Sequence, residues 1–228
     1  GWSDSTGNLW IAEWNAGQRH PLTFYTQTSV DMARDDELLG LLRDANFNMV
    51  FLGIESPRKA SLAETRKVQN ERINLVEAIH KIQSYNLFVT CGMIVGFDQD
   101  DLTIFDEQYE FLQAAQIPFA MLNFLTAPPK TPLYHRMERE GRLIDAADLE
   151  TSFTTAGFTN FRPLQMTREQ LKEGQERLFR RLYAPEAFAE RLLGNLSRFS
   201  NVGYRPERFQ FHNLGITWRL FKSYWRQG

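Results

Sequence analysis

Apolar positions follow two rhythms along this chain. Three runs are continuously apolar rather than alternating: Met49-Val-Phe-Leu-Gly-Ile-Glu55, Leu87-Phe-Val-Thr-Cys-Gly-Met-Ile-Val-Gly-Phe97 and Pro118-Phe-Ala-Met-Leu-Asn-Phe-Leu125. That pattern suits strands covered on both faces. A fourth strand is expected over Leu22 to Ser29, just after Pro21, from its β-branched and aromatic residues. Between the strands the period is helical. Leu38, Leu39, Leu41, Leu42 and Ala45 form one face after Asp35; Ile73, Val76, Ile79 and Ile82 form a second, with Asn70 as its cap; Ile104, Phe105, Phe111 and Leu112 form a third, capped by Asp100 or Asp101. Ser61-Leu-Ala-Glu64 spells a capping box at the start of a shorter helix. Leu9, Trp10, Ile11 and Trp14 give a short helix at the beginning. Strands alternating with helices predict parallel βαβ units with right-handed crossovers over residues 21–126.

After Pro128-Pro129 the strands stop. Thr131 to Gly141 reads as a helix ended by glycine. Thr167-Arg-Glu-Gln170 is a capping box, with Met166 and Leu171 placed as its hydrophobic staple. Leu171, Leu178, Phe179 and Leu182 line that helix, and Ala184-Pro185 ends it and starts another carrying Phe188, Leu192, Leu196 and Phe199. A last helix is expected over about residues 206–226. The chain therefore divides into an α/β part, residues 1–142, and a helical part, residues 143–228.

With 228 residues and 43% hydrophobic positions the chain can bury a sizeable core. Its single cysteine excludes an internal disulfide, a four-cysteine zinc site and a cysteine-ligated iron–sulfur cluster held by this chain alone. No run reaches the ~18 apolar residues of a membrane span. The chain starts at Gly1 without a signal-peptide pattern, and reads as a cytoplasmic protein or a piece of a longer one. The net charge of -2 hides an uneven distribution. Residues 191–228 carry seven basic residues and one acid among many aromatics, a composition shared by nucleic-acid grooves, membrane-surface helices and helices docked on an acidic body. Docking on the chain's own acidic remainder is the favoured reading, with nucleic acid set aside. His20, His80, His135 and His212 lack metal-ligand spacing, and neither a G-x-S-x-G elbow nor a phosphate-binding loop is present.

Gly53-Ile-Glu-Ser56, Cys91-Gly-Met-Ile-Val-Gly-Phe97 with Asp100, and Thr126-Ala-Pro-Pro-Lys-Thr-Pro-Leu-Tyr134 together resemble the later half of the radical S-adenosylmethionine (radical SAM) barrel. Thr26-Gln-Thr-Ser29 and Asp36-Glu-Leu-Leu39 narrow the resemblance to members that carry an N-terminal cobalamin-binding domain. Phe158-Thr-Asn-Phe-Arg-Pro163 and Leu182-Tyr-Ala-Pro-Glu-Ala-Phe188 are similar to a helical domain of unknown function that follows the barrel in some of them. The resemblance implies a partial TIM-like (βα) barrel followed by a mainly helical domain, the first two barrel strands and the cobalamin domain lying outside this chain. It implies a parent enzyme that methylates or rearranges an unreactive carbon of a small-molecule substrate, using S-adenosylmethionine, a 4Fe-4S cluster and cobalamin. This chain, lacking the C-x-x-x-C-x-x-C cysteines, would bind neither cluster nor cobalamin, would hold S-adenosylmethionine weakly and would be inactive alone. The runner-up reading is a non-enzymatic partner-binding or substrate-docking module.

The resemblance places Gly92, Ile94 and Gly96 under the adenine, and Glu55 near the ribose or amino group. Thr26, Gln27 and Thr28 would line the cavity toward substrate, with Gln27 a neutral amide where close relatives carry glutamate. Asp100, in the place of a family glutamate, is expected only to cap the helix after it. Lys130 stands in a glycine place and predicts an altered loop, since lysine disfavours positive φ. Cys91 reads as a core thiol. Four strands leave the first one exposed at its outer edge, and self-association is expected there.

Overall fold

A computed structural model describes residues 10–18, 22–65, 74–144 and 159–199. The basic segment beyond 199, the expected helix at 206–226, Leu9, and the Asn70 cap with Ile73 lie outside the described residues. The elements are α1 (Trp10–Gly17), β1 (Phe24–Thr28), a 3-10 turn (Val30–Arg34), α2 (Asp36–Asp44), β2 (Phe47–Glu55), α3 (Lys59–Thr65), α4 (Leu75–Ser84), β3 (Phe88–Val95), α5 (Ile104–Ala114), β4 (Phe119–Phe124), α6 (Pro132–Arg139), α7 (Arg168–Leu182) and α8 (Pro185–Ser197).

The strands form one four-stranded sheet in the order β1-β2-β3-β4, every pair parallel. This is the α/β architecture of a partial TIM-like barrel with a helical region after it. In register, Thr26 meets Val50 and Thr28 meets Leu52; Val50 and Leu52 continue to Val89 and Cys91, and Cys91 to Ala120. Val50, Leu52, Ile54, Val89, Cys91 and Met93 are fully buried, and this row packs on Leu39, Ile79, Ile82, Ile104 and Leu112 of the helices. The intervening rows, Gln27–Phe51–Thr90 and Gly53–Gly92–Met121, form the opposite face, where Met121 is 59% exposed.

Several helix starts match their sequence signals. Asp35 caps α2, its carboxylate accepting from Leu38 N at 2.9 Å, and Thr167 and Gln170 make the reciprocal capping box of α7, with Met166 and Leu171 both buried. Asn74 caps α4. The Ser61 capping box is not formed. The helix begins at Lys59, two residues earlier, because Arg58 C=O already accepts from Leu62 N. Ser61 is thereby inside the helix and turns its hydroxyl to Asp100 at 2.6 Å.

The helices after β4 share the sheet's core, Leu171, Leu178, Leu182 and Tyr183 belonging to the same buried cluster as Val89 and Ile104. In α8 the fully buried residues are the polar Arg191 and Asn195, while Leu192 and Leu196 are half-buried. Arg191 is 1% exposed. Its guanidinium donates to the carbonyls of Ile117 (2.9 Å), Ala187 (3.1 Å), Pro118 and Leu182 and to Gln113 Oε1. Burial pulls its pKa below the usual arginine range, yet a guanidinium stays protonated at any ordinary pH. Around it the exposed end of α5 is closed from two helices. Gln83 of α4 donates to Ala115 and Gln116 C=O, His80 bonds Ala114 C=O at 3.0 Å, and Asn195 and Arg198 reach Gln116.

Replacing Arg191 by Met keeps the volume and strands these acceptors in a dry site. The expected loss is at least ~3 kcal/mol, read as a lower urea midpoint, with Arg191→Lys recovering only part of it. Burial first, and the Arg198 charge second, hold His80 below its ordinary pKa of 6.5. The unfolded chain then takes up the proton first, so the His80 contribution is full above pH 6.5 and is lost as pH falls below it. Urea titrations at pH 7.5 and at roughly pH 5.5 are expected to differ less for His80→Gln than for the natural chain.

Candidate functional site at the C-terminal ends of the strands

Parallel strands deliver all their C-terminal ends to one side, where barrel sites are built. There β2 ends in an irregularity. Its register with β3 slips between Gly53 and Glu55, and Glu55 takes φ 68°. Backbone in that region is costly for a residue with a Cβ, and such strain gathers at functional sites. Bulges next to active sites re-aim side chains in the same way. Glu55 is half-buried.

Gly92 lies in the open-face row beside Gly53 and Met121. A Cβ on Gly92 would meet the Phe51 ring at 3.2 Å. The flat group resting on that glycine is thus a side chain of the neighbouring strand. Ile94 is half-buried one step further and pairs in register with Asn123. Its carbonyl is fixed by Gln108 Nε2 at 2.8 Å. Gly96 does a different job. At φ 104° it makes the turn out of β3, and a Cβ there would meet Leu171 of α7 at 3.3 Å. The structure therefore puts Gly92 and Ile94 on the open face and Gly96 against the helical layer.

Alternation divides the three polar residues of β1. Gln27 is exposed in the open-face row with Phe51. Thr26 and Thr28 align with Val50 and Leu52 on the helix-covered face.

Asp100 does not cap α5. Its side chain is fully buried, and Oδ2 accepts from Gly96 N (2.9 Å) and Phe97 N (3.1 Å) while Oδ1 accepts from Ser61 Oγ (2.6 Å). It shapes the turn after β3 and ties it to α3. Desolvation raises its pKa against these hydrogen bonds. Asp101 does not cap α5 either: the N-cap is Thr103, which makes no side-chain cap bond, and Asp101 accepts from Thr103 N at 3.0 Å in the turn ahead of the helix. Arg58 grips the same loop through Asp101, Thr103, Glu107 and the Gln99 carbonyl. Asp98 is held by Arg142 (2.7 Å) and Arg136 (3.0 Å). Beyond β4, Asn160 and Ala127 exchange two 2.8 Å hydrogen bonds. Lys130 adopts φ 68°, and Thr131 N bonds Pro128 C=O at 3.2 Å. The turn that favours glycine is made with lysine in place, so the loop keeps its bend.

Cys91 is fully buried, and desolvation pushes its thiol well above the ordinary range. Among the described residues no three His, Cys, Asp or Glu side chains gather to hold a metal ion, and no helix is long and apolar enough to cross a membrane.

Residues 131–228 match the family described as Domain of unknown function (DUF4070). The chain is 34% identical over 218 residues to an uncharacterized methyltransferase of Synechocystis sp. (strain ATCC 27184 / PCC 6803 / Kazusa), a stretch that is 94% of this chain and 39% of that protein. It is 33% identical over 142 residues to the hopanoid C-2 methylase of Rhodopseudomonas palustris (strain TIE-1), covering 62% of this chain and 27% of the relative. It is 24% identical over 166 residues, 73% of this chain and 35% of the relative, to the bacteriochlorophyllide d C-12(1)-methyltransferase of Chlorobaculum tepidum. The chain thus spans about two fifths or less of each of these relatives.

Asp100→Ala removes the acceptor for two buried N–H groups and one hydroxyl. The expected cost is ~2–3 kcal/mol, measured by chemical denaturation, with Asp101→Ala costing less because that side chain is half exposed.

Proposed function

We propose that these residues are the C-terminal part of a cobalamin-associated radical SAM methyltransferase acting on an unreactive carbon. The observation that carries the reading is the coincidence of an all-parallel sheet, irregular and glycine-bearing at its C-terminal ends, with alignment of 94% of the chain to a protein named as a methyltransferase. The hopanoid and bacteriochlorophyllide relatives are named for methyl transfer to carbon positions. Both names point to largely apolar, polycyclic substrates, and a substrate of that class fits a sheet face carrying Phe51, Ile94 and Met121.

The residues present fit one end of S-adenosylmethionine. Ile94 and the Phe51 ring over Gly92 offer a flat apolar surface for adenine, Glu55 supplies a carboxylate for the ribose or amino group, and Gln27 faces the cavity toward substrate. When bound, S-adenosylmethionine would supply the methyl group or the radical. A cluster does not fit this chain, whose one thiol is buried in the core. Three thiolates, the two preceding barrel strands and the cobalamin domain would come from the rest of a longer protein, with the strands pairing at the outer edge of β1. Thr26 and Thr28 then support the strand from behind, and Gln27 is the β1 residue that meets substrate. Localisation in the cytoplasm belongs to the same proposal.

Anaerobic iron–sulfur reconstitution and calorimetry test it on the chain as it stands. The expected results are no bound cluster, and S-adenosylmethionine affinity weaker than about 1 μM that is weakened further by Ile94→Asp. A stoichiometric cluster with visible absorption, or sub-micromolar binding to a monodisperse monomer, would overturn the reading. Binding that ignores Ile94→Asp would remove Ile94 from the site.

A further inference from the structure

A sheet of four strands has two edges, and in this chain they are treated differently. Ala120 and Leu122 alternate along β4, the last strand in the order. The Tyr183 hydroxyl accepts from Ala120 N at 3.1 Å and donates to Ala120 C=O at 2.9 Å. Gln175 Nε2 donates to Leu122 C=O at 2.9 Å. Both side chains come from α7 and the residue that ends it. They make the bonds that a further strand would make, and they do so from the stretch matched by the domain of unknown function.

The surrounding packing is built to hold them there. Gly174 sits where a Cβ would come within 2.2 Å of the Phe105 ring, so α7 lies against α5 at a distance only glycine permits. In α8 Gly194 faces the Gln116 side chain, which a Cβ would meet at 2.2 Å and which would have to shift to admit one. Arg191 ties Leu182 C=O, next to Tyr183, to Ile117 C=O, just before β4. Tyr183 also packs its ring on Phe179 (4.7 Å between centroids) and Phe188 (6.3 Å). Among the described residues the other edge is covered only ahead of the strand, where Asn15 of α1 bonds Leu22 N–H and C=O. β1 pairs with β2 on one side, and among the described residues no side chain of another element is bonded to the backbone of Phe24–Thr28. Tyr25, 70% exposed, stands on β1, and Leu22, 44% exposed, stands two residues before it.

We propose that α7 is a strand substitute, through which the domain of unknown function ends the sheet at β4 and confines strand addition to the outer edge of β1. The partner that edge fits is a further parallel strand, which continues the all-parallel order of the sheet, and the exposed Tyr25 on β1 would be covered with it. An edge that is sealed cannot recruit other chains, whereas an open one can. The inference concerns where the sheet can grow and stands whether or not the methyltransferase reading holds.

Amide hydrogen exchange on the natural chain tests it first. Ala120 is expected to be protected as strongly as Cys91, although Ala120 lies on an edge strand. Tyr183→Phe keeps the ring and removes both bonds. It is expected to speed Ala120 exchange at least ~10-fold while leaving Cys91 unchanged. The double variant Tyr183→Phe with Gln175→Leu is expected, by light scattering, to form a larger, concentration-dependent species beyond anything the natural chain forms. Ala120 exchanging like a loop amide in the natural chain, or at an unchanged rate in Tyr183→Phe, would overturn the proposal. A double variant with unchanged mass would overturn the claim that α7 keeps this edge from pairing. Should the variants fail to fold, the natural chain's Ala120 rate alone still decides.

Discussion

One buried cation organises the bottom of this molecule. Moving a guanidinium out of water is expensive, and Arg191 offsets that cost by having its donors met from four places: α5, the α5–β4 connection, the end of α7 and its own helix. None of these acceptors is a carboxylate. The acceptors are the side-chain amide oxygen of Gln113 and four backbone carbonyls: Leu182 at the end of α7, Ile117 and Pro118 ahead of β4, and Ala187 in α8. The arginine therefore joins the end of α7 to the connection that leads into β4, and it fixes where β4 starts. The position of β4 then sets Asn123 beside Ile94, and the end of α7 brings Tyr183 to Ala120.

The candidate site and the cluster around Arg191 lie at opposite ends of the sheet. The N-terminal end is closed by Arg191, Gln83, His80 and Asn195 on the carbonyls of α5. At the C-terminal end charged side chains grip the loops: Arg58 on the loop before α5, Arg142 on Asp98, Asp100 on the β3 turn. A rigid frame with a shaped rim is what a site needs if its residues are to be preorganised.

The strands and their parallel order were legible because the continuously apolar runs Met49–Glu55 and Leu87–Phe97 alternate with helical periods; the cover on both faces that those runs predict is not met among the described residues, where the face of Gln27, Phe51 and Met121 is open. Caps were legible where the acceptor is local, as at Asp35 and Thr167. Asp100 was misread because its partners, Gly96 and Phe97, precede it in the chain and Ser61 is remote; a cap motif searched forward along the sequence cannot find them. Arg191 was invisible for a related reason. Hydrophobic periodicity marks α8 by its leucines, yet the residue buried deepest is the one whose hydrogen bonds can all be met inside. The division of β1 into Gln27 on one face and Thr26 and Thr28 on the other follows from the two-residue strand period, which was readable once their register with Val50 and Leu52 was known.

The buried thiol has an experimental consequence. Cys91 is shut into the row between Leu52 and Ala120, and its thiolate is disfavoured, so it is inert to alkylating reagents as long as the sheet is intact. Any cysteine introduced on the surface would then be the one reactive thiol among the described residues, without first deleting a native one. A spin label or fluorophore at Met121, on the open face, would report directly on what enters above Gly92. Reaction of Cys91 itself would become a clock for opening of the core.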